Sequence, residues 1–359
     1  MGTGTFPIVG WFDITHHIRY TGTVSKIKPV SIKEISELTG VSIATVSRVI
    51  NNNGRFSEAT RKKVQSVIRE HDYVPNAMAQ WLRTNRTRNI GIIVPDITNE
   101  FFAKLTLDIQ QKLFTVNYST LIYNTNEDPV LEKQYLQAIS AQNVRGIIFI
   151  SGGGQNGCPD IPDVPMIFLD REPHLQDTRT NYVRIQTDHV KGAYLAGEIL
   201  VKKGCKNPAI LMYKNALSPQ SDRVLGFKTA LNEAQVSLKR EALLHVNRVS
   251  YDDAYAVIKK SLERGCIFDG YFCTTDWLAV GAMDALLDHG IKIPRDAKII
   301  GFDDVSIAAH GRIPLTTIHQ DTNGMAHLAV ELMLKLLNNE QVEKFEYYFE
   351  PKLIKRRSV

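Results

Sequence analysis

The stretch SIKEISELTGVSIATVSRVIN, Ser31 to Asn51, decides how this chain is read. Ser31-Ile-Lys-Glu34 has the form of a capping box, in which a hydroxyl accepts from the first free N–H groups and Glu34 reaches back. Ile32, Ile35 and Leu38 recur at helical spacing, and Gly40 ends the segment. Ser42 then caps a second helix, Ile43 to Ile50, with Val46, Val49 and Ile50 inward. Ser57 caps a third that runs to about His71 behind a stripe of Val64, Val67 and Ile68. Three short helices, the first two joined by a tight glycine-containing turn, predict a helix-turn-helix. Thr45 and Arg48 fall on the outer face of its second helix.

The charge around this stretch is lopsided. Residues 1–88 carry 13 Lys+Arg against 6 Asp+Glu, although the 359-residue chain is only +5 overall. A basic head on a slightly acidic body points to a polyanionic partner for the head alone. The length predicts two or three domains, and a hydrophobic content of 43% leaves ample side chain for their cores. Cys158, Cys205, Cys266 and Cys273 show no paired spacing and read as free thiols in a reducing compartment. No apolar run approaches the ~18 residues that span a bilayer. Residues 1–29 lack the pattern of a signal peptide, so a cytoplasmic location is expected, with no membrane partner.

From Asn89 onward, apolar runs alternate with helical stretches. The runs are Ile90–Val94, Thr120–Tyr123, Gly146–Ile150, Met166–Leu169, Ala209–Met212, Tyr271–Cys273 and Ile299–Phe302. Between them lie Phe102–Phe114, Val130–Gln142, Gly192–Lys203, Val224–Ala234, Tyr251–Arg264 and Leu278–His289. This alternation predicts parallel sheets with crossover helices, and the number of units favours two similar lobes over one sheet. Ligands of such sheets bind beyond the carboxyl ends of the strands.

Motifs that carry enzymatic chemistry are missing. Gly152, Gly154 and Gly157 satisfy G-x-G-x-x-G, but Pro159, Pro162 and Pro165 follow, where a dinucleotide fingerprint needs a helix. No nucleophile elbow, zinc-binding H-E-x-x-H or P-loop occurs. His16-His17 sits in an irregular tail and reads as incidental. Asp303 and Asp304 are adjacent on an extended segment, face opposite ways and are poorly placed to share a proton. Neither a cofactor nor a metal is expected.

Residues 30–82 resemble the DNA-binding head and hinge of the lactose-repressor/galactose-repressor (LacI/GalR) family. GVSIATVSRVIN (Gly40–Asn51) and YVPNAMAQWL (Tyr73–Leu82) are its most specific segments. The likeness continues through LDRE (Leu169–Glu172), SDRVLGF (Ser221–Phe227), TTDWLAVGAMDAL (Thr274–Leu286), GFDD (Gly301–Asp304), PLTTIHQD (Pro314–Asp321) and LIKRRSV (Leu353–Val359). It implies an all-α helix-turn-helix head plus an α/β two-lobed periplasmic-binding-protein-like effector domain. The expected divisions are a tail (1–29), the head (30–74), a hinge helix and linker (75–88), and a sugar-binding and dimerisation domain (89–359).

The resemblance implies that Ile43–Ile50 lies in the major groove of double-stranded operator DNA. Arg48 can there bond two acceptors of a guanine, while Ile43 and Ala44 touch methyl groups. Ser42, Thr45, Ser47 and Asn51 suit phosphates. The hinge segment would become helical on the operator and lay Leu82 into the minor groove, with Asn76, Ala79 and Arg83 also on DNA. The body resembles ribose-binding proteins, whose Asn-Pro-Phe-Phe loop reads Asn99-Glu-Phe-Phe102 here, with Glu100 in place of proline. Phe101 and Phe102 would cover a sugar's apolar faces, and Asp170, Arg171, Arg223, Asp303 and Gln320 would bond its hydroxyls. Arg223 and Asp303 are expected to face each other across the cleft; the alternative makes Arg223–Asp303 and Arg171–Asp170 structural ion pairs. Thr275 replaces an asparagine of that pattern, and Val249 stands where an aromatic is expected, with Tyr251 nearby.

The implied function is a homodimeric repressor whose operator affinity is set by a small sugar, a pentose first and a hexose second. An alternative within the family is a catabolite-control type that uses a phosphorylated carrier protein as corepressor. A sugar-binding transport component would share the body but has no use for residues 30–82. The C-terminus closes without leucine heptads, which disfavours a coiled-coil tetramer.

Overall fold

The computed structural model describes residues 30–50, 52–73, 87–150, 164–170, 182–214 and 218–359. It divides into two units, residues 1–85 and 86–359.

The described part of the first unit is three helices: α1 (Ile32–Thr39), α2 (Ile43–Ile50) and α3 (Glu58–Glu70). The capping box forms, with the Glu34 N–H donating to Ser31 Oγ and the Ser31 N–H to Glu34 Oε2 at 2.6 Å. Gly40 ends α1 at φ 65, a left-handed conformation that glycine adopts without strain. Ile35, Val46, Val49 and Val64 form the core of the head. Leu38, expected on the inward stripe, is instead 54% exposed.

The second unit holds two parallel lobes. Strands β1 (Asn89–Val94), β2 (Ser119–Asn124), β3 (Gly146–Ile150), β4 (Met166–Leu169), β5 (Tyr182–Thr187) and β11 (Glu346–Phe349) make lobe A, in the order β11-β5-β4-β3-β1-β2. Its helices are α4 (Glu100–Thr115), α5 (Pro129–Ala141) and α11 (Thr322–Leu337). Lobe B orders β12-β10-β9-β8-β6-β7 from β6 (Pro208–Tyr213), β7 (Leu243–Val246), β8 (Gly270–Cys273), β9 (Lys298–Asp303), β10 (Thr316–His319) and β12 (Lys352–Ile354). Helices α6 (His189–Lys202), α7 (Ser218–Glu233), α8 (Tyr251–Glu263) and α9 (Asp276–Asp288) cover it, and α10 (Ser306–His310) follows β9. Among the described residues, all strand pairings are parallel except β10 with β12.

The chain passes between lobes three times: from β5 to α6, from β10 to α11, and from β11 to β12. Aspartates mark the first two passages, Asp188 capping α6 and Asp321 capping α11. Their side chains satisfy N–H groups that no carbonyl of the same helix can reach. The central strands β3, β4 and β8 are wholly buried, as sheets covered on both faces require, whereas the edge strands β2, β7, β11 and β12 are partly exposed. Among the described residues, no helix is long and apolar enough to cross a membrane. Burial pushes the thiol of Cys205 up to about 11 and that of Cys273 higher still, so neither is poised as a thiolate.

Candidate functional site

On the head, α2 offers Ser42, Ile43, Ala44 and Arg48 to solvent, with Thr45 half-buried. Ser42 Oγ accepts the Thr45 N–H and lies 3.0 Å from its hydroxyl, tying together the first turn of the helix. The stem of Arg48 lies along Gly54, where an added Cβ would stand 3.2 Å from its Cδ. Ser47 corrects the outward placement: it is 8% exposed, because its position falls between Val46 and Val49 on the inward stripe. Arg61 lies 5.0 Å over the ring of Phe56 and donates to Asn52 Oδ1, which fixes the loop before α3. Asn51, Asn76, Ala79, Leu82 and Arg83 lie outside the described residues.

In the body, a buried polar cluster forms where strands end. Asp170 follows β4 of lobe A, His189 opens α6, Arg223 projects from α7, and Asp303 and Gln320 end β9 and follow β10. His189 Nε2 stands 3.1 Å from Asp170 Oδ1, with the nitrogen off the line of a hydrogen bond. Arg223 Nε donates to His189 Nδ1 at 3.3 Å, so that nitrogen must be an acceptor and the ring proton sits on Nε2, toward Asp170. Arg223 also reaches Asp303 Oδ1 at 3.3 Å and donates to the Thr274 carbonyl, with its guanidinium 3.7 Å from the centre of the Phe302 ring. Gln320 Nε2 donates to Asp303 Oδ1 at 2.8 Å. Gln320 Oε1 and Thr274 Oγ1 are buried and have no hydrogen-bond partner among the described residues.

The electrostatics separate the carboxyls. Burial pushes Asp303 up to about 6, against the pull of Arg223 and Gln320. Burial also opposes ionisation of Asp170, yet His189, the Thr187 N–H and Arg223 hold it below the usual carboxylate range. Asp276, fully buried at the start of α9, is raised well above that range by burial and by Asp303. Its Oδ2 accepts the Val305 N–H and its Oδ1 the Thr317 hydroxyl, which tie three elements of lobe B. Asp304 turns away from Asp303, accepting from Arg356 Nη2 at 2.7 Å and pairing with His319.

Several expectations change. Arg223 and Asp303 do not face each other from opposite lobes; both belong to lobe B and pair directly, while Asp170 of lobe A joins through His189. Thr275 is the cap of α9, its hydroxyl accepting the Leu278 N–H at 3.3 Å, so that oxygen is committed to the helix. Asn99 caps α4 through the Phe101 N–H. Phe101 is 5% exposed within the lobe A core, whereas Phe102, at 5.5 Å edge-to-face, is half-buried. Arg171 lies outside the described residues. Sequence reasoning missed His189, Thr274 and Asp276. The signal for Asp276 was its place just after a capping threonine at a strand end. Recognising His189 required β5, whose run YVRIQT is too polar to read as a buried strand.

Among the described residues, no group of His, Cys, Asp and Glu side chains could hold a metal ion.

Residues 31–76 match the family described as bacterial regulatory proteins, lacI family, and residues 198–359 match a periplasmic binding protein-like domain. The transcriptional regulator RegA of Clostridium saccharobutylicum is 32% identical over 332 residues, 91% of this chain and 98% of that protein. The lac repressor dimer bound to operator and the anti-inducer ONPF superposes with a TM-score of 0.82 at 25% identity, covering 92% of this chain and 99% of that one. A periplasmic binding protein/LacI transcriptional regulator from Alkaliphilus metalliredigens, complexed with D-xylulofuranose, is 27% identical with a TM-score of 0.66, covering 76% of this chain and 99% of that one. The chain therefore belongs to the LacI family of DNA-binding transcription regulators, with a helix-turn-helix head and a periplasmic-binding-protein-like effector domain.

Proposed function

We propose that this regulator is a homodimeric repressor whose hold on a near-palindromic operator is set by a monosaccharide bound between the two lobes of each chain, a pentose first. The observation that carries this reading is the Asp170–His189–Arg223–Asp303 cluster. It is buried, lies at strand ends and spans both lobes, with Gln320 Oε1 and Thr274 Oγ1 beside it left without partners among the described residues. Carboxylates and a guanidinium suit vicinal hydroxyls, and the half-buried ring of Phe102 suits an apolar sugar face. The pentulose held by the Alkaliphilus relative supports a five-carbon ligand.

On DNA, Arg48 reads a guanine in each half-site, Ile43 and Ala44 meet methyl groups, and Ser42 and Thr45 contact phosphates. Asn51, Asn76, Ala79, Leu82 and Arg83 complete that interface, and Leu82 enters the minor groove at the operator centre. Asn99 and Arg171 join the cluster on the sugar. Sugar binding shifts the lobes and, through them, the grip on the operator; such coupling is typically about 1–3 kcal/mol and is reciprocal. The test is thermal unfolding of the full chain against a panel of pentoses and hexoses. A sugar at 100-fold over its Kd adds ~2.7 kcal/mol of stability. Stabilisation by a phosphorylated carrier protein, with no response to any sugar, would replace this reading with corepression by that protein.

A further inference from the structure

Helix α10 begins without a cap of its own. Its N-cap residue is Val305, whose side chain has no acceptor, although the first N–H groups of a helix have no partner within it. The Ser306 N–H donates instead to Glu100 Oε1 at 2.9 Å, and the Ser306 hydroxyl donates to Glu100 Oε2 at 2.7 Å. Glu100 is the first residue of α4 in lobe A, 206 positions away. A carboxylate from one lobe thus caps a helix that the chain connects to the other, and negative charge is favourable at that end. Val305 and Ile307, flanking Ser306, pack on the lobe A core, and Ile307 also touches the core of lobe B.

The position gives this contact its leverage. Glu100 stands between Asn99 and Phe101, and Ser306 lies three residues after Asp303. The two hydrogen bonds therefore join the segment that bears Asn99 and Phe102 in lobe A to the one that follows Asp303 in lobe B. In the ribose-binding pattern this site is proline, which has no side-chain acceptor. We propose that Glu100 is a positioning residue that holds the effector cleft closed by capping α10 from across the lobes. The effect on affinity rests on the reading of the cleft as a sugar site; the closure itself does not.

The experiment measures the distance between spin labels at Gln137 on lobe A and Lys259 on lobe B, incorporated by amber suppression. The labelled full chain is diluted with unlabelled chain so that only distances within one chain report. The expected result is one dominant distance in the free protein and a longer population in Glu100→Ala. Glu100→Gln, which keeps an acceptor for the Ser306 N–H, falls between them. D-ribose is the sugar probe, with D-xylose, D-arabinose and D-galactose alongside. Its Kd is expected to rise about fivefold in Glu100→Ala, in line with the loss of solvent-accessible charge-assisted hydrogen bonds. An unchanged distance distribution in Glu100→Ala overturns the closure. A longer distance with unchanged affinity for a sugar that the parent binds overturns the link to the effector. If none of the sugars binds the parent chain, the sugar reading of the cleft fails, while the distances still decide the closure.

Discussion

Arg48 projects from α2 as an exposed side chain braced along Gly54, and its loss leaves the core of the head untouched. Arg48→Ala is expected to weaken operator binding by about 1–3 kcal/mol and to relax preference at one symmetric base pair. Selection from randomised duplexes checks this, and equal weakening on every sequence would make Arg48 a phosphate contact instead. In the body, Asp303 sits at φ 108 and Asp170 at φ 47, conformations that non-glycine residues adopt at a cost and that gather at functional sites. With Asp303 raised to about 6, its carboxylate is available to sugar hydroxyls only above that pH. Sugar affinity is therefore expected to be flat above about pH 7 and to fall about tenfold per unit well below 6. The stability of the free protein runs the other way. The neutral Asp303 carboxyl is the form that burial favours, so its contribution is full below the unfolded value of about 4 and is lost as pH rises through 6. Asp170, held low, contributes above about 4 and is lost only as pH falls through its lowered value. Calorimetric titration from pH 5 to 8 checks the affinity; a pH-independent Kd removes Asp303 from the sugar. Residue identities such as Arg223, Asp303 and Gln320 were legible in the sequence because they recur in a known polar pattern. Which lobe each serves was not legible, and neither was His189, because both depend on how the chain crosses between sheets.

Among the elements, the three helices of the head and the strands β3 and β4 coincide closely with the sequence expectation, because caps, glycine stops and apolar runs mark their ends. Helix α11 was not visible to periodicity. Met325, Ala326, Ala329, Val330, Leu332, Met333, Leu336 and Leu337 bury most of its circumference, and the exposed stripe of Asn323, His327 and Glu331 is too narrow to give a strong amphipathic signal. Strands β11 and β12 were equally silent: four and three residues long at sheet edges, they are strands because of what they pair with. The close packing of α6 on α7 gives an element-scale test. At Gly226 an added Cβ would lie 2.0 Å from the Val190 carbonyl, so the helices touch backbone to backbone. Gly226→Ala is expected to force them apart at a cost of about 1–3 kcal/mol, read as a lower Tm. Arg223 stands one turn away on α7, so sugar affinity falls with it while operator binding persists. An unchanged Tm would mean that α7 repacks without strain.

For the whole molecule, the two-unit organisation and the two-lobed body follow from charge asymmetry and from too many strand–helix units for one sheet. The three passages between lobes do not, since both lobes are built from non-contiguous segments and no local pattern records that. A ligand bound between lobes joined in this way is expected to bias their relative position and, through it, the grip on the operator. The most direct measurement is operator affinity by fluorescence anisotropy with and without saturating sugar, for the parent chain and for Arg223→Ala. The operator Kd is expected to shift about 5- to 150-fold with sugar in the parent, and the Arg223→Ala variant is expected to bind operator without responding to sugar. An Arg223→Ala chain that still responds fully to the sugar would contradict this.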